Sequence, residues 1–247
     1  SSPVIMSLPE VDWPYVDIDL VIKNMVEKAK ASSVPIVLHY DHGHDLGSMK
    51  KLLEHGWTSL MIDESMKSFE ENMEITARVV EMAKKYGASV EAELGHVPGL
   101  EGQIDTVEDI EHDMYTKVEE AVRFVEKTGV DALAVSIGTV HGEYKFEPKL
   151  NFERLAELNS SLGIPLVLHG GSGLSAAEFR RCIELGVRKI NVFTEIMLEP
   201  AKVIRQRLLE NPDWKMPYTE LMDISINSMK AAVKRNMDVF WSTGKAG

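Results

Sequence analysis

Three histidines, His42, His141 and His169, each close an apolar run and each stand directly before a glycine, in HYDHG, GTVHG and LVLHGG. Three neutral imidazoles delivered from three separate elements suit a zinc ion that keeps one coordination position for water or substrate. The chemistry is expected to centre on the pair Asp41-His42, within Val34–Asp45 (VPIVLHYDHGHD). A buried strand that delivers such a pair to its carboxyl end, just before a helix, is how barrel strands present active-site residues. His39, His44, His55, His96 and His112 lack this joint placement and read as structural or solvated.

Two further loops suit an anion. Leu168–Gly173 (LHGGSG) ends an apolar run with glycines and a serine before a helix that starts near Ser175. Such a turn exposes backbone N–H groups near a helix N-terminus, where phosphate binds. The next run ends Asn191-Val-Phe-Thr194-Glu195, and loops after the last two strands of a barrel recurrently hold phosphate. Lys145, in GTVHGEYK, is a cation within reach of the same anion. The long acidic loop Gly95–Asp109 has the composition of a lid, and Glu101 within it could enter the site on closure; read alone, it is a solvated glutamate. No lysine stands at a strand end where a Schiff base would need it.

These residues need elements that bring them together. Strand-like runs occur at Pro3–Leu8, Ile36–Tyr40, Ser59–Ile62, Ser89–Leu94, Ala132–Ile137, Pro165–Leu168 and Lys189–Val192, separated by amphipathic stretches such as Asp17–Ala31, Phe69–Lys85 and Lys117–Lys127. Alternating strands and helices imply a parallel sheet covered on both faces. Reactive side chains (Asp41, His42, Asp63, Glu93, His141, His169, Asn191, Glu195) then share the carboxyl rim. The expected fold is α/β, a (β/α)8 TIM barrel. Seven strands are readable and a barrel needs eight, so the first strand-helix unit is expected to be missing from the given chain, which starts at Ser1. An open seven-stranded sheet is the rival. Residues 1–247 read as a single domain, with a helical tail over about 196–247 built from Ile196–Leu209 and Tyr218–Phe240.

Composition excludes several functions. With a formal net charge of −12 and no long lysine or arginine cluster, nucleic acid is not an expected partner. No run is apolar enough to span a membrane and no leader is readable. Cys182 is alone, so no intrachain disulfide forms and a reducing, cytoplasmic location is expected.

The stretches VPIVLHYDHG, TSLMIDES, SVEAELG, EEAVRFVEKTGVDALAVSIGTVHGEYK, EPKLNFERL, IPLVLHGGSG, GVRKINVFTE and STGKAG, in this order and spacing, resemble the class II, metal-dependent ketose-bisphosphate aldolases, which cleave fructose or tagatose 1,6-bisphosphate. The resemblance covers essentially the whole chain. It implies that His42, His141 and His169 bind catalytic zinc and that Glu93 is an alternative or second metal ligand. It implies that Asp41 is the acid–base at the C4 hydroxyl and that Glu101 exchanges the proton at the nucleophilic carbon. Gly142, Lys145, Gly170, Ser172, Asn191 and Thr194 would line the dihydroxyacetone phosphate half, with Asn191 also counted among the catalytic groups. A monovalent cation (Na+ or K+) near the phosphate loops and a homodimer or homotetramer are implied in the same way.

Three positions depart from the family pattern. Asp63-Glu64-Ser65-Met66 stands where most members read Asp-Gly-Ser-His, Pro9 stands where serine or threonine is common, and PGLEG replaces a Gly-Gly-x-Glu-Asp lid. These bear on the distal substrate end, so another phosphorylated ketose is an alternative. A non-catalytic aldolase-like subunit and a sugar-phosphate epimerase are further readings; the intact Asp41 and histidines oppose the first, and the second lacks an acid–base group facing Asp41.

Overall fold

The computed structural model describes residues 1–99, 115–142 and 148–246. Seven strands form one parallel sheet in sequence order: β1 Val4–Pro9, β2 Ile36–Gly43, β3 Ser59–Ile62, β4 Ser89–Leu94, β5 Ala132–Val135, β6 Leu166–Leu168 and β7 Val187–Ile190. Helices follow them: α1 Ile18–Lys30, α2 Leu46–Glu54, α3 Phe69–Lys84, α4 Val118–Thr128, α5 Phe152–Ser161, α6 Ala176–Glu184 and α7 Thr194–Glu210, with α8 Tyr218–Val239 packed on α7. Among the described residues β1 pairs with β2, β7 pairs with β6, and no pairing joins β1 to β7. The result is a half-barrel of the TIM type, open at one seam.

The helix starts follow from local chemistry. Asp17 accepts the Leu20 N–H at 3.2 Å to open α1. Ser68 with Glu71 and Ser175 with Glu178 form reciprocal capping boxes at α3 and α6, each satisfying two backbone donors that a helix start leaves bare. Gly129 ends α4 at φ 65°, a left-handed conformation that glycine adopts without a Cβ penalty.

Strand periodicity sorts the sheet into two faces. Leu38 and Tyr40 on β2, Leu60 and Ile62 on β3, Val90 and Ala92 on β4, and Leu166 and Leu168 on β6 pack with helix residues such as Leu52, Val80, Phe124 and Leu155 in one buried cluster. Each fully buried leucine there contributes about 1.5–3 kcal/mol. The opposite face holds a small apolar cluster, Met61, Ala134 and Val167, and carries buried polar residues that include His39, Asp41, Glu91, Glu93 and His169. A covering of helices on one face thus leaves the other free to concentrate charge.

Several boundaries differ from the sequence reading. Strand β2 runs on through Asp41, His42 and Gly43, β5 stops two residues earlier than Ile137, and β7 covers Val187–Ile190 instead of Lys189–Val192. A 3-10 turn at Glu10–Tyr15 follows β1, where the sequence offered no distinct signal.

Cys182 lies within α6, fully buried, and burial pushes its thiol up to about 12, with Glu178 adding to the rise. Thiolate is the reactive form. The native protein at pH 8 is therefore expected to resist dithionitrobenzoate while the urea-unfolded chain reacts with one equivalent; fast native labelling would contradict this packing.

Candidate active site

Asp41 and His42 are consecutive, and strict alternation would send them to opposite faces. The β2–β3 register shifts between Tyr40 and Gly43, and His42 takes φ 44°. A bulge of this kind re-aims a side chain, and the unusual backbone costs about 1–3 kcal/mol, a strain that clusters at functional sites. Gly43 is required beside it, because a Cβ there would lie 2.2 Å from the Tyr40 ring.

The three histidines do converge. Ring centroids of His42 and His169 are 4.7 Å apart, those of His42 and His141 5.0 Å, and those of His141 and His169 5.8 Å, all near perpendicular. One nitrogen from each lies within 4.8 Å of the other two. His42 Nδ1 is 2.7 Å from Asp63 Oδ2, and His169 Nε2 is 2.8 Å from Glu91 Oε1. A carboxylate only accepts, so each of these nitrogens carries the proton and donates. The other nitrogens, His42 Nε2 and His169 Nδ1, then meet 2.9 Å apart with lone pairs facing. His141 Nε2 is buried and has no hydrogen-bond partner among the described residues. Two facing acceptors and a buried orphan nitrogen are a poor arrangement for bare protein and a good one for a cation. The donor set fits zinc.

Burial pushes His141 well below its ordinary value, and His42 and His169 push it further. His169 is also lowered by burial, against the opposing pull of Glu91. Both are neutral at pH 7, the form that ligates metal. Glu93 comes close to His42 and Asp63, forming a second cluster. Its Oε1 accepts the Val97 N–H at 3.1 Å, Oε2 is buried without a hydrogen-bond partner among the described residues, and burial followed by Asp63 raises the carboxyl to about 8.

Asp41 and His169 both meet Asn191 Nδ2. Both Asp41 oxygens accept from Asn191 Nδ2, at 2.9 and 3.2 Å. His39 Nε2 lies 3.3 Å away and Lys189 Nζ 3.9 Å away. Burial raises its pKa, but Lys189, His39 and His42 outweigh that and hold it well below the usual carboxylate value. Asp41 is ionised. Asp41, Lys189 and Asn191 line a hollow of about 170 Å³, while His42, His141, Asp63, Ser65 and His96 line one of about 350 Å³.

The two candidate phosphate loops lie side by side. Asn191 N–H donates to the Leu168 carbonyl at 3.0 Å, and the N–H of Glu195 donates to Ser172 Oγ at 3.2 Å. Thr194 begins α7, whose N-cap Phe193 offers no capping side chain, so its N-terminal field is open to an anion. Gly142 takes φ 90° and Gly170 takes φ 67°. A Cβ on Gly170 would lie 2.4 Å from the Val140 carbonyl oxygen. Gly170→Ala is therefore expected to lower stability by more than the roughly 1–3 kcal/mol of backbone strain alone, read as a drop in Tm; an unchanged Tm would contradict this loop.

Asp41, His42, His141, His169, Glu93 and Asn191 are thus together, and Gly142, Gly170, Ser172 and Thr194 line the loops beside them. Glu101 and Lys145 lie outside the described residues, as does most of the Gly95–Asp109 loop. Sequence reasoning set His39 aside, but it is 1% exposed and hydrogen-bonds Ser59 Oγ through Nδ1 at 2.8 Å, with Nε2 toward Asp41. It missed Glu91. It also found no lysine at a strand end, whereas Lys189 sits in β7 one residue before its end, with Nζ held by Glu91 at 2.8 Å. An ammonium so paired is not a free amine nucleophile.

Residues 1–245 match the family described as "Fructose-bisphosphate aldolase class-II". A fructose-bisphosphate aldolase of Geobacillus stearothermophilus is 40% identical over 248 residues, spanning 99% of this chain and 85% of that one. A Staphylococcus epidermidis protein of the same name is 38% identical over 251 residues, 100% of this chain and 85% of that one. The crystal structure of the YdjI aldolase from Escherichia coli K12 superimposes with TM-score 0.81 at 34% identity, covering 100% of this chain and 84% of that one.

Proposed function

Because this chain belongs to the class II fructose-bisphosphate aldolase family and is an aldehyde-lyase, we propose that it reversibly cleaves a ketose 1,6-bisphosphate, of the fructose or tagatose type, to dihydroxyacetone phosphate and glyceraldehyde 3-phosphate, at the centre formed by Asp41, His42, His141 and His169. The observation that carries this reading is the facing pair of acceptor nitrogens on His42 and His169 beside the orphan Nε2 of His141. These three side chains would hold zinc, with Glu93 as an alternative ligand.

Zinc held by these residues would supply Lewis-acid polarisation of the ketose carbonyl and stabilisation of the negative charge that develops as the bond breaks. The chain's own residues supply the rest. Asp41, ionised and held by Asn191, takes the proton of the C4 hydroxyl as the C3–C4 bond breaks; the electron pair of that bond stays on C3, and C4 becomes the aldehyde carbon. In condensation the same carboxyl returns its proton to the C4 oxygen. Glu101 is assigned proton exchange at C3. Gly142, Lys145, Gly170, Ser172, Asn191 and Thr194 hold the dihydroxyacetone phosphate half, its phosphate on the α7 N-terminus, with a sodium or potassium ion as an optional companion. Asp63 and Glu91 fix the histidine tautomers.

The barrel is completed by an eighth strand-helix unit at the seam. The edges of β1 and β7, unpaired among the described residues, support this, together with a mostly apolar hollow of about 660 Å³ lined by Pro3, Ile5, Val192, Val233 and Phe240. The 247 residues then act as a single domain. Exposed Met197 on α7 and Tyr218, Met222 and Ile226 on α8 suit a homodimer or homotetramer contact. Among the described residues no helix is long and apolar enough to cross a membrane, and a buried lone cysteine is compatible with a cytoplasmic location.

The test is release of dihydroxyacetone phosphate from fructose and tagatose 1,6-bisphosphates, before chelation, after chelation and after zinc is restored. Cleavage of either sugar that is lost and regained supports the reading, and turnover that survives complete metal removal overturns it.

A further inference from the structure

Lys189 and Glu91 belong to strands β7 and β4, three positions apart in the sheet, yet their side chains meet on the inner face. Lys189 Nζ lies 2.8 Å from Glu91 Oε2 and 3.1 Å from Oε1, straddling the carboxylate, and 3.9 Å from Asp41 Oδ1. Glu91 Oε1 in turn accepts from His169 Nε2 at 2.8 Å. The Glu91 and Asp41 side chains are each 3% exposed, and that of Lys189 is 11% exposed. Two buried carboxylates this near each other need a cation between them, and an ammonium whose partner is removed leaves an uncompensated charge.

The consequence is a continuous chain of contacts running from His169 through Glu91 and Lys189 to Asp41 and Asn191. A histidine whose outer N–H is gripped by a carboxylate is fixed in tautomer and ring orientation. The grip is only as firm as the carboxylate's own restraint, and among the described residues the side chain that holds Glu91 at hydrogen-bond distance beyond His169 is Lys189; His39 Nε2 stands at 3.8 Å. No substrate atom needs to touch Lys189 for it to matter.

We propose that Lys189 is a positioning residue, locking Glu91 so that His169 presents Nδ1 toward His42 and His141, and with the same ammonium setting the place of Asp41. The inference rests on the aldolase reading, since it concerns how that centre is held. It does not make Lys189 a participant in bond breaking.

The experiment measures zinc affinity by chelator competition, together with kcat and KM at saturating zinc, for the full chain and for Lys189→Met, Glu91→Gln and the double variant. Zinc affinity is expected to fall about 10–100-fold in each single variant. The double variant should bind zinc as Glu91→Gln does, because Lys189 acts through Glu91. With zinc restored, Lys189→Met should show kcat reduced at least about tenfold with little change in KM, since a displaced Asp41 impairs the proton step more than binding. A folded Lys189→Met with wild-type zinc affinity overturns the proposal, and so do single effects that multiply in the double variant. If Lys189→Met alone does not fold, comparing Glu91→Gln with the double variant, where both charges of the pair are gone, decides it: equal zinc affinity supports the proposal and a further loss overturns it. A wild-type chain that binds no zinc defeats the aldolase reading itself, an outcome distinct from zinc bound equally by every variant.

Discussion

Asp41→Asn is expected to lower kcat for ketose-bisphosphate cleavage by about 10²–10⁴-fold, the usual worth of a positioned acid–base group, while zinc content stays at the wild-type level. The amide has nearly the shape of the carboxyl and keeps one oxygen to accept from Asn191 Nδ2, at the cost of the second acceptor and of the charge facing Lys189. It also loses the capacity to take a proton. Asp41 suits the task because it is buried yet ionised, with Lys189, His39 and His42 offsetting the effect of burial. Asp41 is not a member of the three-histidine cluster, so chemistry and metal binding are expected to split. Activity within a few-fold of wild type would remove Asp41 from the proton-transfer role, and loss of zinc would show that the carboxyl serves the metal instead.

His141→Ala is expected to do the opposite, removing both zinc and activity. Among the described residues His141 Nε2 is buried without a hydrogen-bond partner, so on the proposed reading alanine removes one of three ligands, and Glu93 would have to take its place. Since removing an outer-sphere partner already costs 10–100-fold in metal affinity, a directly ligating imidazole should cost at least about 100-fold, with cleavage falling to background even in added zinc. Apo stability should fall only by the packing lost with a buried imidazole, because no hydrogen bond through Nε2 is lost. His96→Ala is the matched control: His96 lines the same hollow but stands outside the three-histidine cluster, and its zinc should be retained. A zinc-replete, active His141→Ala would contradict the site.

The legible part of the molecule was the part carried by period and punctuation. Apolar runs ending in Asp41-His42, His141-Gly142 and His169-Gly170 gave both the parallel strands and the residues at their carboxyl ends, and Ser175 marked a helix start that a capping box confirms. The bulge at His42 was not legible, because it depends on the fit of Gly43 against the Tyr40 ring across the strand. Glu91 and Lys189 were missed for a different reason. Each stands two residues before a residue that was noticed, Glu93 and Asn191, and in a strand that spacing means the same face. His39 bears the same relation to Asp41. Extending the period-2 pattern one step back from each strand end would have drawn all three into the interior, although only the folded sheet shows that residues from β2, β4, β6 and β7 touch. The seven-strand count agrees with the structure, in which no pairing among the described residues joins β1 to β7.

The most direct test of the account is an X-ray crystal structure of the zinc-loaded protein with anomalous data collected on both sides of the zinc absorption edge. The account predicts one strong anomalous peak about 2.0–2.1 Å from a nitrogen of each of His42, His141 and His169, with Asp63 and Glu91 still bonded to the outer nitrogens of His42 and His169. No peak among the three histidines, or a peak confined to the neighbouring cluster of His39, Asp41 and Glu91, would contradict it.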